Sequence, residues 1–241
     1  MSLDAKGNTG NKRQIDLVND ETLALRLLAY CQSHNWAGPD PYDALNSKIV
    51  EVVPLFNRRI PRLVVTHLLK RSRVDIRRIL LVAPTQNPRA LGLFLMSLLK
   101  LSKLGLLNGN GEDQLWSIVA RLEALRSRDT RSWCWGYSFA WQTRTLLVPR
   151  GCPNLVWTTF VANALLDAYE QSREPRLLEM AFSAAEHILN DLFWSDAGSV
   201  AGFAYPLASM RHTIHNGNFL GAALLCRIAK HSDEKNSWGR H

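Results

Sequence analysis

Helical spacing of apolar residues, punctuated by proline and glycine, runs through this chain from Ile15 to His231 and predicts an all-α fold. Leu17, Leu23, Leu25, Leu27, Leu28 and Tyr30 open the pattern in a helix that Gly38, Pro39 and Pro41 stop. Asn87 reads as a cap, Pro88 as the first turn and Gly105 as the end of a helix apolar on most sides. Asp113 reads as the cap of an amphipathic helix through Leu115, Ile118, Val119, Leu122 and Leu125. Pro153 opens a helix to Glu170, Pro175 another to Leu192, and a last one starts at His215. No apolar run approaches the ~20 residues of a membrane span, and the polar N-terminus lacks an apolar leader, so the expected location is cytoplasmic. The 241 residues suit one core: a polar tail over 1–14, one helical domain over 15–231 and a polar tail over 232–241.

Two long connections interrupt the helices. The first, Trp133 to Arg144, carries Trp133, Trp135, Tyr137, Phe139 and Trp141 in strict alternation, with Gly136, Gln142 and Arg144 among them. Alternation places all five rings on one face of an extended segment. Rings offer stiff contact area, and Gln and Arg supply donors for hydroxyls or carboxylates, which suits a ligand wall. The same rings would equally serve as a buried plug between helices. The second connection, FWSDAGSVAGFAYPL, precedes the last helix. Each follows an amphipathic helix and leads into one with small or polar residues, a pattern of alternating outer and inner helices with loops gathered at one end.

Charge concentrates elsewhere. The net charge of +8 implies attraction to anionic partners, and Arg58, Arg59, Arg62, Lys70, Arg71, Arg73, Arg77 and Arg78 crowd one segment against a single acid, Asp75. Ile60, Leu63, Val64, Leu68 and Leu69 between them predict a basic amphipathic helix over Arg58 to Arg78, either a solvated face or a dock for an anionic membrane surface or assembly partner. Nucleic acid is disfavoured because the cations do not spread along the chain. Asp40 and Asp43 read as caps, with a catalytic pair as the alternative. Cys31, Cys134, Cys152 and Cys226 show neither CxxC nor zinc-ligand spacing, so no metal and no cofactor is expected.

Five segments in order, DPYDALNS from Asp40, NPRALGLFL from Asn87, WGYSFAWQTR from Trp135, CPNLVWTTFVANALLDAYE from Cys152 and HNGNFLGAALL from His215, resemble a bacterial family encoded in exopolysaccharide-biosynthesis clusters. The resemblance covers roughly Asp20 to His231. It implies the six-hairpin (α/α) toroid of glycosidases, lyases and sugar epimerases; some relatives carry the label delta-aminolevulinic acid dehydratase, whose barrel and Schiff-base lysines find no match here. The chain turns polar at HSDEKNSWGRH and stops after about seven or eight of the twelve helices, which reads as an incomplete toroid, either a truncated product or a partial domain that pairs with another chain. In such a toroid the starts of inner helices and their preceding loops line the mouth. The resemblance then implies contacts to a saccharide or anionic glycan from Trp135, Tyr137, Trp141, Gln142, Arg144, Asn154, Asn216 and Asn218, with His215 as the candidate acid or base. The expectation is a protein of extracellular polysaccharide biosynthesis that binds or processes a saccharide; the alternative is a non-enzymatic interaction protein docked through Arg58 to Arg78.

Overall fold

The computed structural model describes residues 9–107, 109, 111–196, 200–211 and 214–233, so most of both expected tails lies outside the described residues. Over these residues the protein is all-α, with eight α-helices and two short hairpins. It divides into two units, Met1–Gly38 and Pro39–His241, with the break at the Gly38-Pro39 stop.

The first unit is one helix, α1 (Thr9–Ser33). Its end is fixed locally: the Ser33 hydroxyl and the His34 Nδ1 each bond the Tyr30 carbonyl at 2.8 Å. Asn35 and Trp36 then turn the chain in left-handed conformations, with φ of 53° and 58°.

The second unit opens with a 3-10 turn at Asp43–Asn46, α2 (Lys48–Val52), a second 3-10 turn at Pro54–Asn57 and α3 (Arg59–Arg71). Ser47 caps α2, its hydroxyl accepting from the amides of Ile49 and Val50 while donating to the Leu80 carbonyl. A small core of Ala44, Val50, Val65, Leu69 and Val82 holds these pieces together. The basic helix ends at Arg71, earlier than the expected Arg78, because Ser72 and Val74 turn onto one hydroxyl.

The larger core comprises α4 (Pro88–Lys103), α5 (Gly111–Ala124), α6 (Leu155–Ser172), α7 (Pro175–His187) and α8 (His215–Ala229). Between α5 and α6 runs the hairpin β1 (Trp141–Gln142) and β2 (Leu147–Val148); between α7 and α8, after a wide helical turn at Ile188–Leu192, runs β3 (Phe193–Ser195) and β4 (Ala201–Phe203). α6 packs against α4, α7 and α8, while α5 lies on α4 and α7 also touches α8. Gly92 lets α4 come close: a Cβ there would stand 3.3 Å from the Phe160 carbonyl oxygen of α6. Eleven α6 residues are buried, among them Val161, Leu165 and Leu166. Burial on most sides, expected of α4, is found on α6, while α4 leaves Leu93 exposed. α5 starts at Gly111, so Asp113 is not its cap but sits with Glu112 in the first turn, where carboxylates face the positive helix end.

The polar face of α8 is clamped to α6 by one guanidinium. Arg227 donates to the Asn163 carbonyl and side chain at 3.2 Å and pairs with Asp167 and with Glu170 at 2.9 Å.

Candidate functional site

The aromatic connection is tied to the first turn of α6. The Asn154 amide donates to the Trp135 carbonyl at 2.9 Å, and the Thr158 hydroxyl accepts from the Trp135 amide and donates to the Trp135 carbonyl. Gly136 makes the crossing possible, since a Cβ there would fall 1.8 Å from the Cys152 carbonyl oxygen. Trp135 itself is core: it is fully buried, and its indole donates to the Leu122 carbonyl of α5 at 2.7 Å. It presents no surface to a ligand, so for this ring the plug reading holds. Neighbouring rings do meet as alternation predicts, Trp133 with Trp135 at 6.2 Å and Tyr137 with Phe139 at 5.5 Å. Yet Cys134 and Gly136 are buried too, so the segment has no solvent face between Trp133 and Tyr137.

The rings after Gly136 turn a different way. Tyr137 packs against Trp157 of α6 with centroids 3.8 Å apart and the rings tilted by 40°, and lies 5.0 Å from Trp141, which in turn lies 6.2 Å from Tyr42. Four rings from three chain segments thus form a continuous row ending at the half-exposed Tyr42. Lys70 of α3 closes that end, with its ammonium 2.8 Å from the Tyr42 hydroxyl. At the other end the Arg89 guanidinium lies 5.7 Å from the Trp157 ring and 4.5 Å from the Phe160 ring. Asn87 joins the two helix starts, its Oδ1 accepting from the Arg89 amide at 3.0 Å and from the Trp157 indole at 2.8 Å.

Electrostatics converge on the same place. Burial pushes the Asp40 carboxyl above its ordinary value, helped by Asp43 and opposed by the Tyr42 amide and by Arg77 and Arg89. Burial likewise raises the hydroxyls of Tyr137 and Tyr205, with Arg89 opposing in both. Tyr205 shares the Asn154 side chain, whose Oδ1 caps α6 and whose Nδ2 donates to the Pro206 carbonyl. Asp43 has a different duty. It is almost fully buried, accepts from the Asp40 amide at 2.9 Å and pairs with Arg77 at 3.3 Å, which makes it a staple of the turn rather than one half of a catalytic pair. A cavity of about 450 Å³ reaches the cluster at Pro88 and Tyr137 and is lined by Arg126, Arg128 and Arg150 against one acid, Asp129.

Of the residues expected at the mouth, Trp141 is partly exposed, while Tyr137 and Asn154 lie behind it as buried side chains. Gln142 is buried, and its Nε2 donates to the carbonyls of Thr143 and Leu146 to close the β1–β2 turn. Arg144 is exposed at the tip of that turn. His215 is exposed at the first position of α8 and stands outside the row of ring contacts; Ile214 is the residue before the helix, and no side chain caps it. Asn216 accepts from the Gly217 amide, and Asn218 accepts from the Phe203 amide at 2.9 Å, pinning α8 to β4. Asn218 is thus occupied by the fold.

Arg89, Asp40, Trp157 and Tyr205 join the site without having been singled out as contacts. One signal for Arg89 was present: a cation in the first turn of a helix opposes the helix dipole, so it needs a reason other than helix stability. The four cysteines are free, and no group of three potential metal ligands occurs among the described residues.

Comparison with family models, with curated proteins and with solved structures gives no match.

Proposed function

We propose that the protein binds a saccharide bearing carboxylate groups against Tyr42 and Trp141, the accessible end of a row of rings backed by the buried Tyr137 and Trp157. The observation that carries this reading is the row of rings capped by Arg89 at one end, 5.7 Å from Trp157. Ring faces stack on the C–H faces of sugars, and a guanidinium held over the same rings pairs with a carboxylate in fixed geometry. The buried Nε1–H of Trp141 has no protein acceptor, and a hydroxyl reaching between the rings would supply one. Asp40, whose carboxyl burial holds above its ordinary value, donates a hydrogen bond to the same ligand in mild acid. The arginines of the adjoining cavity extend the positive field beyond the rings.

The pairing of consecutive helices α4 with α5 and α6 with α7, with α6 also packed on α4 and α8, supports reading the larger core as part of an (α/α) toroid. The resemblance to proteins of exopolysaccharide clusters supports a place in extracellular polysaccharide biosynthesis, on the cytoplasmic side. No helix among the described residues is long and apolar enough to cross a membrane. Hydrolysis calls for two facing carboxylates, and Asp43 is engaged by Arg77, so binding is the function the geometry supports.

The test is calorimetric titration with uronic-acid oligosaccharides and their neutral counterparts. The uronate series is expected to bind, and Trp141→Ala and Arg89→Ala are each expected to lose at least tenfold in affinity, about 1.4 kcal/mol. Asp40→Asn is expected to flatten the pH dependence of binding above the ordinary carboxylate range. Uronates binding Trp141→Ala and wild type equally would sink the reading.

A further inference from the structure

We propose that α3 is a docking surface for a bilayer carrying acidic lipids, on which the helix lies flat. The inference is independent of the saccharide site. It starts from the outer face of α3, where Ile60, Val64 and Leu68 recur every fourth residue and are 67%, 51% and 60% exposed. Val65 and Leu69, turned inward, are the α3 residues of the small core, and the outer stripe is not part of it. Two adjoining grooves of about 690 and 510 Å³ run along the stripe and share Ile60, Val64, Leu68 and Ile76. Exposed apolar side chains continue past both helix ends at Leu55, Val74 and Ile79. An apolar surface of this extent marks an interaction site.

Charge chooses the occupant. Arg58 and Arg59 stand at the start of the stripe, and Arg71 and Arg73 at its end, all four exposed. No acid occurs from Arg58 to Arg73. Asp75, the next, is paired with Arg77 at 3.8 Å. An apolar stripe with guanidinium groups at both ends is the arrangement of a helix lying in an interface: the stripe enters the acyl boundary while long cationic stems reach back to the headgroups. The apolar side chains project outward over several short elements, with exposed positions beyond the grooves, which fits a fluid anionic surface better than one folded partner that would need deep fixed pockets. With 13 residues, α3 is far too short to span, and it is amphipathic where a spanning helix would be apolar all round.

The experiment is co-sedimentation of the full chain with phosphatidylcholine vesicles and with the same vesicles containing a third phosphatidylglycerol. Binding is expected to the acidic vesicles alone and to fall at least tenfold as salt rises well above physiological strength. The double variants Ile60→Asp/Leu68→Asp and Arg71→Gln/Arg73→Gln are each expected to lose at least tenfold in vesicle affinity. These side chains are exposed, so melting temperature and circular dichroism should stay as in wild type. Equal binding to neutral and acidic vesicles, or none by a folded chain, would overturn the proposal. So would a concentration-dependent dimer abolished by Ile60→Asp/Leu68→Asp, or capture of an acidic helical peptide in preference to vesicles, since either would assign the stripe to a protein.

Discussion

Asn87 Oδ1 accepts two hydrogen bonds from different helices, one from the Arg89 amide at the start of α4 and one from the Trp157 indole of α6. A single oxygen therefore caps a helix and sets the tilt of a ring in the candidate site. Asn87→Ala removes the cap and leaves an indole N–H unpaired in a buried ring, a combined cost of about 2 to 4 kcal/mol. Asn87→Asp keeps the acceptor and should recover most of it, which thermal melts of the two variants would show. The cap was legible in the sequence because Asn-Pro at a helix start is local chemistry. Its second bond was not, because Trp157 lies far along the chain and no spacing rule connects them. Trp135 and Trp141 make the same point. Both belong to one alternating run, yet one is core and the other faces the site, and the difference is made by Gly136 and by the Cys152 carbonyl that crosses it.

Among the elements, α6 and α8 are joined by chemistry as well as by packing. Burial opposes ionisation of Glu170, but the hydrogen bond and charge of Arg227, with His231, outweigh it and hold the carboxyl below its ordinary value. A lowered folded value means that the stabilisation is complete above the unfolded carboxylate value, about 4.3, and is lost as pH falls through the folded one. Urea midpoints of wild type and Glu170→Gln are therefore expected to differ near pH 6 and to converge toward pH 3. Glu170 is partly exposed, so the difference should be a small one that salt narrows. Helix existence and order were readable from periodicity and from Pro88 and Pro175, both of which open helices as expected. Boundaries were less so. The basic segment stops at Arg71 and α5 starts ahead of Asp113, because a serine turn and a glycine decide those ends and neither leaves a periodic trace.

For the molecule as a whole, the all-α class follows from the sequence alone, whereas the site had to be assembled from Asp40, Arg89, Tyr137, Trp157 and Tyr205, which meet only when α4, α6 and both long connections are in place. That assembly also bears on how the chain reaches its fold. α6 is surrounded by α4, α7 and α8, and two of those three neighbours are separated from it by a long irregular connection and a hairpin. Helical proteins that fold fastest join each helix to the next in sequence; here the central helix meets α7 directly in sequence but gains α4 and α8 only after large loops have closed. Refolding followed by tryptophan fluorescence is accordingly expected on the millisecond-to-second scale typical of mixed or β topologies, not in the microseconds of a simple bundle. Helical signal should form ahead of the tryptophan signal, for Trp135 and Trp157 report contacts between segments that meet last.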